Sequence, residues 1–161
     1  MPTRRQLIQK ITLNSNASSV TFSNIPQNYQ DLIIQVNGYG TVNDRVIYFR
    51  YNGVSTGTLY STTRLLGYTG GAISDRYSNV NQHMAAGNWS NISSSTLIVN
   101  ILSYSNNNIF KTLLSEWADN SESPGVHVGL FRSTNPISSI EIYVDSGSQV
   151  SGSTFTLWGV R

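Results

Sequence analysis

Apolar residues recur at every second position in short runs along this chain, and almost nowhere with the three- and four-residue spacing of a helix face. Leu7 to Leu13 reads as a first strand with Leu7, Gln9, Ile11 and Leu13 on one face, and Val20 with Phe22 marks a shorter piece. Ile25-Pro26 breaks the run. Tyr29 to Tyr39 puts Leu32, Ile34 and Val36 on a single face, and Arg45 to Tyr51 is apolar on both faces before the turn pair Asn52-Gly53. Leu59 to Leu66 is a weaker strand. From Gly67 to Ser93 the periodicity fades into Asn- and Gly-rich sequence, which predicts a long loop, and loops of that length in compact domains tend to carry function.

The second half is more regular. Thr96 to Tyr104, Ile109 to Trp117, Val126 to Arg132, Ile137 to Val144 and Thr154 to Val160 all read as strands, punctuated by Asn106-Asn107-Asn108 and Pro124-Gly125. Ile109 to Ala118 also fits a helical stripe. Lys111 would then sit in the first turn and Glu116 with Asp119 in the last, the reverse of what the helix dipole favours, so the segment is assigned as a strand. Within Val126 to Val128 the alternation predicts an outward, polar face for His127. Eight or nine short strands predict an all-β fold, a two-sheet sandwich or a barrel; an antiparallel two-sheet sandwich of jelly-roll type is favoured, and periodicity alone does not separate it from an immunoglobulin-like sandwich. The chain forms a single domain over residues 1–161, with 1–6 as a short N-terminal arm.

Composition sharpens this picture. Charged residues are only 11% of the 161 residues, and about a third of the chain is Ser, Thr or Asn, so exposed helix faces rich in Glu and Lys are excluded. With no cysteine there are no disulfides or thiolate metal sites, which leaves stability to the core and to partner subunits. No stretch reaches the ~18 apolar residues of a membrane span, and no apolar core follows the opening Met-Pro-Thr-Arg-Arg as in a secretion signal, so synthesis in a cytosol is expected. A net charge of +2 with scattered Lys and Arg gives no nucleic-acid footprint.

Candidate chemistry is sparse. Gly53-Val54-Ser55-Thr56-Gly57 matches the hydrolase nucleophile pattern literally, but it follows a turn in a β-rich chain where that elbow needs a helix after it, and it reads as a turn of small residues. His83 and His127 are the only histidines, and the bland structural role outweighs a catalytic one for both. Glu116, Asp119, Glu122, Glu141 and Asp145 supply the carboxylates from which a glycosidase pair could be drawn. Gly38-Tyr39-Gly40 lacks the third glycine of a phosphate loop, and no cofactor or metal set is visible. Nine tyrosines and three tryptophans among small polar residues suit a recognition surface better than an active site. Trp117 and Trp158 are assigned to the core, whereas Trp89 and Asp75-Arg76-Tyr77 fall in the long loop.

The opening, Ile11-Thr12-Leu13 through Val20-Thr21-Phe22-Ser23-Asn24-Ile25-Pro26 to Tyr29-Gln30-Asp31-Leu32-Ile33-Ile34, resembles the start of small virion proteins of tailed bacteriophages. Pro136-Ile137-Ser138-Ser139-Ile140-Glu141-Ile142, Gly147-Ser148 and Phe155-Thr156-Leu157-Trp158-Gly159-Val160 are similar to the closing strands of that group, and Tyr51-Asn52-Gly53 with Leu66-Gly67 to its middle. The resemblance implies a jelly-roll subunit of the virion, a homotrimer, acting as a capsid decoration (cement) protein on the major capsid protein. Its alternative is a tail-fibre or receptor-binding module that stacks aromatic rings on a host surface glycan. It brings no catalytic motif, no cofactor and no membrane or nucleic-acid partner. On this reading Arg4, Arg5 and Lys10 are charged contacts to the shell, and Arg76, Tyr77 and Trp89 face a partner or sibling subunit.

Overall fold

The computed structural model describes residues 4–118 and 124–161. In chain order the strands are β1 (Arg5–Thr12), β2 (Ser19–Phe22), β3 (Asp31–Gly38), β4 (Arg45–Tyr51), β5 (Tyr60–Tyr68) and β6 (Gly71–Val80). They continue as β7 (His83–Trp89), β8 (Ser95–Leu102), β9 (Lys111–Ala118), β10 (Gly125–Phe131), β11 (Ile140–Val144) and β12 (Thr154–Val160). They form an antiparallel two-sheet sandwich of jelly-roll type: eight strands in the order β1-β12-β3-β8-β9-β10-β5-β6 lie against four in the order β2-β11-β4-β7. The chain passes back and forth between the sheets, and only β5–β6, β8–β9 and β9–β10 are sequence neighbours that also pair.

Between the sheets lies one apolar core. Leu32, Ile34 and Val36 of β3 face inward with Leu97, Val99 and Ile101 of β8, and Phe49 and Ile142 answer them from the small sheet. At one end Tyr51, Tyr60 and Phe131 form an aromatic cluster, with Tyr60 and Phe131 stacked at 4.7 Å. The Tyr60 hydroxyl is satisfied inside it, donating to the Val54 carbonyl at 3.0 Å and accepting from the Tyr51 amide at 3.1 Å. Burial of Tyr60 therefore leaves no unpaired hydroxyl, whereas the buried Tyr51 hydroxyl has no partner.

Three sequence expectations change. Gly67 to Ser93 is not a loop: it holds the end of β5, all of β6 and all of β7. β6 shows no hydrophobic alternation because it is an edge strand with nearly every residue exposed, held by its backbone pairing to β5. The N-terminal arm shortens too, since Arg5 and Gln6 already pair with Val160 and Gly159 in β1, while residues 1–3 lie outside the described part. Finally, a register shift between Leu7 and Gln9 splits the predicted single face of this strand. The bulge leaves Leu7 opposite Trp158 and exposed, while Ile8 and Ile11 pack against the core.

Asn52-Gly53 is a turn, with both residues in the left-handed region at φ 53° and 69°, but it carries the chain from the small sheet to the large one and closes no hairpin. The Asn52 side chain does the bracing. Its Nδ2 donates to the Pro136 carbonyl at 2.8 Å, and its Oδ1 accepts from the Ser138 and Ser139 amides at 2.8 and 3.1 Å. Replacing Asn52 by Ala removes these bonds and forces a Cβ residue without a local hydrogen bond into the left-handed region, a loss of about 2–3 kcal/mol. Asn52→Gly, which relieves the backbone strain alone, is expected to lose less; urea denaturation of both variants measures the difference.

Candidate interaction face

Each strand of the large sheet turns one set of side chains to the core and the alternate set outward, so the pairing register lays out the outer face row by row. In one row Ile33, Asn100, Leu114 and Val128 stand side by side, followed by Thr63 and Arg76. The same row runs the other way through Trp158 to Leu7. On one side of it the neighbouring row reads Ile98, Glu116, Val126, Leu65, and on the other Leu102, Thr112, Leu130, Ser61. Val128 and Leu7 are 50% exposed and Leu65 55%. Shallow depressions run across it, one of about 540 Å³ lined by Leu65, Ala72, Glu116, Pro124 and Val126 among others.

The centre of this face, on β8, β9, β10 and β5, carries aliphatic residues on the solvent side, where an antiparallel sandwich ordinarily alternates to polar ones, and its flanks are polar, with Thr156, Gln35 and Asn37 on one side and Ser74, Arg76 and Ser78 on the other. Trp158, expected in the core, stands half-buried on it. His127, expected outside, is fully buried, because Val126 and Val128 take the outward positions on either side of it. The outer face of the small sheet is the contrast. There Arg50 lies 4.3 Å above the Tyr143 ring and 3.6 Å from a Glu141 oxygen, and Tyr48 stacks on Tyr143 at 5.6 Å. Its charged and aromatic groups contact one another within the face.

The residues proposed as contacts divide between surfaces. Arg5 and Lys10 on β1 and Arg76 on β6 all point to the apolar face, at its two opposite edges, and Arg4 is exposed just before β1. Tyr77 points to the other side of β6, beside a two-pronged ion pair in which Arg64 donates to Asp75 at 2.9 and 2.7 Å. Arg64 holds the Asp75 carboxyl below the usual carboxylate range. Trp89 is not a contact residue. It is wholly buried, and its indole N–H donates to Gln149 Oε1 at 3.1 Å. No sequence signal distinguished it from a loop tryptophan, because β7 itself was not recognised as a strand.

The carboxylates do not converge. Glu116 is on the outer face of the large sheet and Glu141 on the outer face of the small one, so the sandwich separates them. Asp145 accepts from the Val46 amide at 3.1 Å, and Asp119 and Glu122 lie outside the described residues. Ser55 sits exposed in turn structure with no helix following, distant in role from the two buried histidines. Among the described residues no group of three or more His, Cys, Asp or Glu could hold a metal ion.

Sequence reasoning did not anticipate a polar layer under β10. His127 Nδ1 lies 2.8 Å from the Met84 carbonyl and therefore carries the proton, and Ser115 donates to the Ala85 carbonyl at 2.7 Å, so both tie β7 to the inner face of the large sheet. His83, 3.4 Å from the Thr62 hydroxyl, fits because position 129 is glycine: a Cβ there would stand 2.5 Å from its ring. Lys111, also buried, donates its ammonium to the carbonyls of Asn106, Ile109 and Thr134, pinning the β8–β9 turn.

No protein-family model matches the sequence, and no curated protein sequence matches it. Among solved structures the chain is similar to alginate lyase Aly36B (11% identity, 98% of this chain and 78% of that one, TM-score 0.34). It is also similar to the Caenorhabditis elegans galectin LEC-6 (12% identity, 94% and 95%, TM-score 0.37) and to an endo-β-1,4-glucuronan lyase from the fungus Trichoderma reesei (10% identity, 95% and 86%, TM-score 0.30). At these TM-scores neither the sugar chemistry nor the residues of those proteins transfer to this chain.

Desolvation pulls the pKa of His83 down to about 3 and that of His127 down to about 4, and each histidine is held neutral inside the fold. The unfolded chain takes up protons below about pH 6.5, where the folded chain refuses them. Stability is therefore complete above that pH and falls as pH drops towards 4, with a slope of up to about 1.4 kcal/mol per unit for each histidine. Urea midpoints measured between pH 7.5 and 4.5 are expected to decline, and His127→Gln, which keeps an amide donor, is expected to flatten the decline.

Proposed function

We propose that this protein is a structural subunit of a tailed-bacteriophage particle, a capsid decoration protein that binds across neighbouring shell subunits. One observation supports this above the others: at the centre of the outer face of the large sheet Ile98, Leu102, Leu114, Val126, Val128 and Leu65 form an exposed apolar patch across four adjacent strands, and such contiguous patches mark surfaces that are covered on assembly. Such a surface suits a chain that is completed by assembly. The exposed cations Arg4, Arg5 and Lys10 beside β1 are the groups assigned to the shell.

The mechanism is mass action. A subunit that binds only the assembled shell stabilises that state in proportion to its occupancy. A protein that touches several shell subunits at once gains through effective concentration, so modest individual contacts suffice. The second reading, a tail module that recognises a host glycan, is favoured by Tyr77, whose ring is 37% exposed beside the Arg64–Asp75 pair and a small pocket of about 100 Å³ lined by Tyr48, Thr62 and Gln82.

Immunogold labelling of intact particles together with a copy count separates the two. Hundreds of copies over the head are expected. A few copies at the tail tip replace decoration with glycan recognition, and absence from the particle overturns both.

A further inference from the structure

We propose that the outer face of the large sheet closes against the same face of a second copy of this chain. The inference rests on the reading of the protein as an assembly subunit and names the occupant of its largest apolar surface.

Size is the first argument. Eight strands at ~4.8 Å spacing and seven to eight residues at ~3.3 Å rise give a face of roughly 34 by 25 Å, on the order of 800 Å². A stable protein pair buries about 800 Å² on each partner, so one copy of this face is the right size to cover another. A two-fold axis lying in the interface covers both at once and leaves neither exposed, which is how an isologous pair closes.

Composition is the second. The centres of protein interfaces are depleted in charge and carry it at the rim. Here Leu114, Val126, Val128 and Ile98 surround one carboxylate, Glu116, whereas Arg5, Lys10 and Arg76 stand on the two edge strands. The edge arginines and the lysine can remain solvated when two faces meet, so few charges lose water. Aliphatic side chains supply the centre of the buried area, at the spacing of about 10 Å at which two sheets pack face to face, and Thr, Ser, Asn and Gln side chains of the flanking strands form the rim.

The third argument excludes the small sheet as the pairing surface. Its outer face is occupied by the Arg50–Glu141 ion pair and by Arg50 and Tyr48 stacked on Tyr143, which present a polar exterior. Pairing through the large sheet leaves that polar exterior, and the basic segment at Arg4, free on each copy.

Sedimentation equilibrium and light scattering on the purified full chain test this. The expected result is twice the mass of one chain at micromolar concentration, falling to the single-chain mass in Val128→Glu while circular dichroism stays β-type and melting stays cooperative. Where the glutamate prevents folding, the isosteric double change Val126→Thr with Val128→Thr keeps β-branching and is expected to weaken pairing at least tenfold. Ser19→Glu, on the exposed edge of the small sheet, is expected to leave the mass doubled. A wild-type chain that stays single at 100 µM, or a multimer that survives both changes on the face, overturns the proposal. The labelling experiment fails independently: a single-chain protein spread over phage heads removes the pair and keeps decoration, and a paired protein missing from particles does the opposite.

Discussion

Four strands cannot cover eight, and this inequality governs the rest of the molecule. The small sheet lies over part of the inner face of the large one, and turns and edge segments must close the remainder. Tyr29, from the segment between β2 and β3, takes one such place: it sits against Gly159 of β12, where a Cβ would come within 2.4 Å of its ring. At the other flank Tyr60 and Leu66 of β5 still reach the core, but the inward side between them is half-exposed and carries Arg64 and Asp75, paired at 2.7 Å. A partly exposed pair of this kind adds little stability, but it satisfies two charges at the margin of the core.

Where the two sheets do meet at β7, contact is made through hydrogen bonds as much as through apolar packing. Ser115 and His127 reach from the large sheet to two successive carbonyls of β7, at Ala85 and Met84. A buried imidazole is tolerable there because it stays neutral and its protonated nitrogen is satisfied. Gly129 completes the arrangement by leaving room for His83. The interior is therefore sensitive to acid, although the chain as a whole carries few titrating groups.

Most strands were legible from alternation alone, and so was the class of fold. Phase was not. Alternation around His127 separates two sets of residues without saying which set faces the core, and the usual assumption that the polar set faces water is inverted here by Val126 and Val128. In β1 a bulge changes the phase within the strand, so Leu7 and Ile11, which share a face in a regular strand, end on opposite sides. β6 and β7 escaped notice because an exposed edge needs no hydrophobic code and because Asn, Ser and Gly in this chain serve in strands as well as turns. The candidate site was legible only in fragments: Arg5, Lys10 and Arg76 lie on one face, but strand order, which alternation does not encode, is what brings them there.

The strands themselves show where that face is apolar. A strand with one solvated side alternates strictly, whereas one buried on both sides reads as a nearly continuous hydrophobic run. β3, β8 and β9 alternate, but among their polar outward residues each carries an aliphatic one in the middle of the sheet: Ile33 in β3, Ile98 in β8 and Leu114 in β9. Ile33 on the outer side is already only 9% exposed, shielded by its neighbours in the sheet, whereas Ile98 and Leu114 in adjacent strands are not. Within a single chain these outward residues contribute little to folding, and they raise the risk of unspecific association. Placed in three adjacent central strands, these outward aliphatic residues are where a cover on the second side of the sheet would remove the most apolar surface from water.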